Sequence, residues 1–250
     1  MTTTSAGQPR VGRLLTAGVC ACLSMITGCG GSASSRAPSQ TPAVVNTCVD
    51  AGSGWHKVSS VHVDAAQLGS GPAVVFANDS GNTACGWLPV ARSLAAQRFR
   101  VAVFTYFDFS ESQSMTDMLA VARAVGGGGH YALVGASLGG RLVIEAAARR
   151  PAGLAAIVSL SGERMIDSYP DILPQARQVR APTLYVGARE DPLTDGSRQQ
   201  RELHQAMRGN PNEIIQLDGI EHGTDLLDRS APDGKAVSAR MIAFLQSQLR

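Results

Sequence analysis

The residues best suited to chemistry lie in Tyr131-Ala-Leu-Val-Gly-Ala-Ser-Leu-Gly-Gly-Arg141. The segment holds Gly135-x-Ser137-x-Gly139 between a strand-like apolar run and an Ala-rich helical run. A serine on a sharp strand-to-helix turn has its hydroxyl held out above the sheet edge, where it can attack a carbonyl. So tight a turn leaves no room for side chains two residues to either side, hence the two glycines. The helix starting at the serine turns free N–H groups toward developing negative charge. Glycine makes up 27 of 250 residues, so the bare spacing means little. The strand before it and the helix after it give it weight.

A serine hydroxyl needs a base within hydrogen-bond reach. Of the five histidines, His56 and His62 precede the first core strand, His130 precedes the elbow strand and His204 lies within a helical stretch. His222 follows the last strand-like run in a Gly-flanked loop and is the candidate base. Its partner should be a carboxylate that fixes the tautomer. Glu190 and Asp191 both follow the run Thr183–Gly187, and Asp191, which precedes Pro192, is favoured. An oxyanion needs two backbone donors. Leu138, directly after the nucleophile, should supply one, and Ser80 in the loop Asn78-Asp-Ser-Gly81 the other. Asp79 and Asp108 have no His/Asp cluster at ligand spacing, so no metal site is expected, and no cofactor.

These residues must be positioned by alternating elements. Strands are expected over Val58–Val63 (an edge), Ala73–Asn78, Arg100–Tyr106, Tyr131–Gly135, Leu154–Leu160, Thr183–Gly187 and Glu213–Leu217. Helices are expected over Trp87–Arg98, from Ser112 or Ser114 to a stop at Gly126–Gly129, over Ser197–Met207 and over Gly234–Leu249. This order implies an α/β fold with a mostly parallel, doubly wound sheet, its ligands beyond the carboxyl ends of the strands. Asn78–Gly81, Ser137, Glu190–Asp191 and His222 all fall at such ends. About 20 residues separate Leu160 from the next strand, room for a short helix and only a minimal lid.

Three segments, Gly135-Ala-Ser-Leu-Gly139, Gly187-Ala-Arg-Glu-Asp-Pro192 and Gly219-Ile-Glu-His-Gly223, resemble the nucleophile, acid and histidine segments of the α/β-hydrolase family, in that family's chain order. The resemblance covers roughly residues 58–249. It implies a serine hydrolase that cleaves a carboxylic ester or thioester of a small acyl substrate through a Ser-Asp-His triad and an acyl-enzyme. The chain departs from the pattern at Asn78-Asp79, where many members carry His-Gly. The alternative is a non-catalytic, lipid-anchored binding or envelope protein on the same fold.

The N-terminus reads as a targeting segment. Arg10 and Arg13 precede the uncharged apolar stretch Leu14–Ile26, too short for a comfortable membrane span. Ile26-Thr-Gly-Cys29, followed by a Gly/Ser tract, resembles a bacterial lipoprotein lipobox. That resemblance implies cleavage after residue 28, acylation of Cys29 and anchoring on the outer face of a bacterial cell membrane. The expected organisation is a signal peptide over 1–28, a flexible tether over 29–50 and a catalytic domain over 51–250. Residues 1–28 hold two arginines and no acid, so the remainder carries 20 basic and 20 acidic residues. That neutrality gives no argument for a nucleic-acid partner. After processing and lipidation, Cys48 and Cys85 remain. An even pair in an oxidising compartment makes a disulfide the expected state, and two buried free thiols the alternative.

Overall fold

The computed structural model describes residues 48–49, 53–80, 84–108, 110–166, 169–209, 211–228, 230 and 232–250. The fold lies within the unit Thr41–Arg250. The proposed signal, Cys29 and most of the tether lie outside the described residues.

Among the described residues eight strands form one sheet: β1 (His56–Lys57), β2 (Ala65–Leu68), β3 (Ala73–Ala77), β4 (Arg100–Phe104), β5 (Tyr131–Ala136), β6 (Leu154–Leu160), β7 (Thr183–Ala188) and β8 (Asn212–Leu217). Their order is β1-β2-β4-β3-β5-β6-β7-β8. The pairings β1–β2 and β2–β4 are antiparallel, and every pairing from β4 through β8 is parallel. Among the described residues six α-helices flank the sheet: α1 (Leu88–Ala96), α2 (Glu111–Gly126), α3 (Leu138–Ala148), α4 (Leu173–Ala176), α5 (Arg198–Ala206) and α6 (Pro232–Leu249). No helix among the described residues is long and apolar enough to cross a membrane.

The central strands are apolar throughout because both faces of a parallel sheet are covered. Alternate residues divide between two cores. Val74, Phe76, Val101, Val103, Val134 and Val158 pack with residues of α1 and α6 on one face. Val75, Ala102, Phe104, Leu133, Ile157 and Tyr185 pack with α2, α3 and α5 on the other. Helix α2 stops where Gly127 takes the left-handed conformation at φ 57°. The chain runs from β3 to β4 on one side and returns to β5 on the other. Carboxyl ends of strands at such a reversal open a crevice suited to a ligand, and Asn78–Ser80 and Ser137 both lie there.

One strand expectation fails. Val58–Val63 is not an edge strand. It is the connection between the short antiparallel strands β1 and β2, closed by the Val58 N–H to the Ala65 carbonyl at 2.9 Å. Its alternation reflects Val58 and Val63 dipping into the core from a turn. The true strand, Ala65-Ala-Gln-Leu68, has low intrinsic β preference and is placed by pairing with β4.

Candidate active site

The elbow is built by steric exclusion. Ser137 has φ 51° and ψ −114°, a conformation that non-glycine residues rarely adopt. A Cβ on Gly135 would sit 2.1 Å from the Gly139 carbonyl oxygen, and one on Gly139 would sit 2.2 Å from the Ala77 carbonyl oxygen. Both obstacles are backbone, so neither can yield. The Ser137 N–H bonds the Leu160 carbonyl at 2.9 Å, and the Gly139 N–H bonds the Asn78 carbonyl at 3.0 Å. These bonds fasten the turn to the ends of β6 and β3.

His222 and Asp191 meet beside it. His222 Nδ1 lies 2.8 Å from Asp191 Oδ2. Asp191 is fully buried and also accepts the Leu193 N–H at 3.0 Å. An ionised carboxylate only accepts, so Nδ1 carries the proton and Nε2 is left free to act as a base. Burial works against ionised Asp191, but the His222 hydrogen bond and charge outweigh it and hold the carboxyl below its usual range. Burial likewise opposes protonation of His222. The Asp191 bond, with the charges of Asp191, Glu163 and Asp79, overcomes that and raises the imidazole above 6.5. Glu190 is exposed and uses its N–H on the Gly219 carbonyl.

The serine hydroxyl does not point at the histidine. Ser137 Oγ donates to Glu163 Oε1 at 2.9 Å. That same oxygen lies 3.9 Å from His222 Nε2, which has no hydrogen-bond partner among the described residues. Sequence reasoning missed Glu163. It follows β6 in the segment read only as room for a short helix, and no motif marks it. Its position is fixed from a distance. A Cβ on Gly140 would be 2.8 Å from Gly162 Cα, so the loop lies directly on α3. Ser161, at φ 48°, turns the chain there. Tyr185 hydroxyl holds the Gly162 carbonyl. The buried Arg141 side chain bonds the Arg164 carbonyl at 2.9 Å and the Pro170 carbonyl at 2.6 Å. Burial pushes the Glu163 carboxyl up, against the Ser137 hydrogen bond and the His222 charge.

The remaining expected residues divide. Leu138 opens α3 directly after the elbow, its side chain buried, and Ser80 lies exposed in the loop after β3. That loop is held by the Asn78 side-chain amide on the Phe104 carbonyl at 2.6 Å and by Tyr106 hydroxyl on the Asn78 carbonyl at 2.9 Å. Trp87 belongs to the core, with its ring 4.8 Å from that of Phe76. Cys48 is bonded to Cys85. This ties the incoming chain to the turn Ala84–Trp87, which follows β3 in the chain. Among the described residues, no group of three or more His, Cys, Asp or Glu is placed to hold a metal ion.

No protein-family model matches the chain, and no curated protein matches it. Solved structures do. The monoacylglycerol lipase of Paleococcus ferrophilus superposes with a TM-score of 0.65 at 16% identity, covering 75% of this chain and 100% of that one. A dienelactone hydrolase from Anabaena variabilis gives 0.65 at 18% identity, over 78% and 98%. An esterase of Pyrococcus furiosus gives 0.67 at 12% identity, over 78% and 93%. Identities this low speak to architecture alone, and with the parallel sheet and its strand order they establish that the chain has the α/β-hydrolase fold.

Proposed function

We propose that the protein is a serine hydrolase that cleaves carboxylic ester or thioester bonds of small acyl substrates through an acyl-enzyme. One observation carries this reading: a serine on a strained strand-to-helix elbow stands beside a histidine whose far nitrogen is held at 2.8 Å by a buried aspartate. Ser137 attacks the carbonyl carbon and His222 Nε2 takes its proton. Asp191 stabilises the imidazolium, and His222 then protonates the leaving group. Reaching Nε2 requires the serine hydroxyl to leave Glu163 Oε1, to which it donates at rest. The N–H groups of Leu138 and Ser80 hold the oxyanion. Apolar acyl groups fit the setting. The large apolar side chains exposed among the described residues, Phe107, Met165, Leu193 and Ile220, all follow carboxyl ends of strands.

The competing reading, a binding protein that has lost turnover, draws on the Ser137–Glu163 bond, which occupies the nucleophile. A fluorophosphonate probe separates the two. The hydrolase is labelled at Ser137, and Ser137→Ala loses both label and ester hydrolysis, the latter by ~10³-fold or more. An unlabelled, well-folded wild type sinks the enzyme reading.

The organisation proposed for the whole chain is a signal over 1–28, a tether over 29–50 and the catalytic domain over 51–250. Cys29 is lipidated, and the enzyme stands on the outer face of a bacterial membrane. Support comes from the lipobox-like Ile26-Thr-Gly-Cys29 and the disulfide beyond it. Cys29→Ala should release the protein from membrane fractions, with mass spectrometry of the mature N-terminus as the check. An unmodified N-terminus at another residue removes the anchor.

A further inference from the structure

The triad chemistry leaves one buried carboxyl group beside the reacting atoms without a role. Glu163 is 9% exposed, and its Oε1 lies 2.9 Å from Ser137 Oγ and 3.9 Å from His222 Nε2. The groups acting on its charge are His222, Asp191 and Arg141. A buried carboxylate that loses its donor is costly, so the state of Ser137 matters to it.

Acylation removes that donor. Once Ser137 is acylated, its oxygen is an ester oxygen with no proton, and Glu163 Oε1 has an acceptor site open. The step that must follow brings a water to the acyl carbon, beside Nε2. A water about 2.8 Å from both Nε2 and Oε1 spans the 3.9 Å gap with an angle of about 90° between the two bonds, within hydrogen-bonding range. We propose that Glu163 is a further catalytic residue that, with His222, holds and orients the water which hydrolyses the acyl-enzyme. The inference rests on the serine-hydrolase reading above.

The step balances. The water oxygen bonds the acyl carbon while one of its protons passes to His222 Nε2 and the other stays on the oxygen, donated to Glu163 Oε1. The tetrahedral intermediate then collapses. The bond from carbon to Ser137 Oγ breaks, and His222 returns its proton to that oxygen. The carboxylic acid leaves, and the regenerated Ser137 hydroxyl donates again to Glu163. The bond seen in the structure is thus the resting half of a cycle in which one acceptor serves the serine and the water in turn. The surroundings suit a fixed acceptor. Gly140 against Gly162, Tyr185 on the Gly162 carbonyl and Arg141 on the Arg164 and Pro170 carbonyls hold the loop on both sides of Glu163.

The test separates the two half-reactions in the full chain, with p-nitrophenyl acetate as substrate. Release of p-nitrophenolate in the pre-steady state gives acylation, and loss of one acetyl group by intact mass gives deacylation. Glu163→Leu, close in volume and without an acceptor, should acylate within a few-fold of wild type. It should deacylate roughly 10–100-fold more slowly, the scale of losing orientation of one reactant. Glu163→Gln keeps a carbonyl oxygen and should restore deacylation to within a few-fold. A role in stability alone slows both steps together or unfolds the chain. Equal loss in both steps, no loss in either, or a Gln variant as slow as Leu refutes the inference. If Glu163→Leu does not fold, the Gln variant decides on its own, since slow deacylation there contradicts the role. A wild type that fluorophosphonates do not label overturns the serine-hydrolase reading itself, and the inference with it.

Discussion

Two pieces of chain converge on Ser137, and they are built by different means. The elbow, Gly135–Gly139, is a local device. Its shape is enforced by backbone atoms within a few residues and by the neighbouring strand β3, at 2.1 and 2.2 Å from where side chains would be. The turn Ser161–Arg164 is a long-range device. What places Glu163 is Arg141 on α3, Tyr185 on β7 and the contact of Gly162 with Gly140. A constraint that acts between near neighbours prescribes residue types at fixed spacing and can be read from the chain. A constraint that acts between distant segments prescribes nothing that spacing can carry.

The proposed base, His222, and its acid, Asp191, fall between these extremes, and the largest effect is expected there. Asp191→Asn should cut kcat/KM by ~10³–10⁴-fold, because the imidazole loses the acceptor that fixes its tautomer. Glu190→Gln, one residue away, should stay within a few-fold, its side chain being exposed. Steady-state kinetics on the pair decides. A crippled Glu190→Gln would mean that the 2.8 Å contact does not report the working acid.

Next comes the elbow itself. Gly139→Ala places a Cβ 2.2 Å from the Ala77 carbonyl, which cannot move without disturbing β3. Forced overpacking of this kind costs typically about 1–3 kcal/mol, and more against backbone. Denaturant unfolding should register the loss, along with failed fluorophosphonate labelling. A stable, fully labelled Gly139→Ala protein would break the claim that exclusion shapes this turn.

The loop should fail differently. Arg141 is fully buried, 3.0 Å from Glu145 and 3.3 Å from Glu111. Burial, with Glu111 beside it, pushes the Glu145 carboxyl up to about 8. Arg141→Met removes the cation and two carbonyl anchors, and breaking a buried pair costs about 3–5 kcal/mol. Partial protonation of Glu145 near neutral pH should soften that loss, so the variant should be less destabilised at low pH than at high pH. Ser137 should still react with the probe, since the elbow does not depend on Arg141, while turnover falls as Glu163 loses its place. Loss of labelling in a folded Arg141→Met protein would merge the two devices into one.

Much of the frame was legible for the same physical reason. The buried parallel strands read as short apolar runs, and β6, Leu154–Leu160, has the bounds expected of it. Ser137, Asp191 and His222 stood out because each follows such a run at the same edge. The antiparallel flank did not, since Ala65–Leu68 is a strand only because β4 is beside it. Glu163 had no signal at all. It is one acidic residue in a loop, indistinguishable in sequence from a solvated carboxylate, and Arg141, which bonds the next carbonyl at Arg164, lies more than twenty positions earlier.

The smallest effect isolates Glu163 by charge. In the proposed mechanism His222 must be neutral to take the serine proton, so kcat/KM should rise with pH through the imidazole pKa of the unliganded protein. Burial lowers that pKa. Asp191, Glu163 and Asp79 raise it by more, so the acid limb should lie above 6.5. Glu163→Gln removes one of the three raising charges and keeps the shape. The limb should therefore move toward lower pH, and the variant should gain relative activity on the acid side. Asp79→Asn should move it the same way by less, since Asp79 is the weaker of the two influences. Glu190→Gln should leave it in place. Each is read from kcat/KM against pH on one soluble ester. A limb that stays put in Glu163→Gln would mean that the loop carboxylate is not ionised when His222 titrates, leaving the elbow and its histidine as the whole of the electrostatic site.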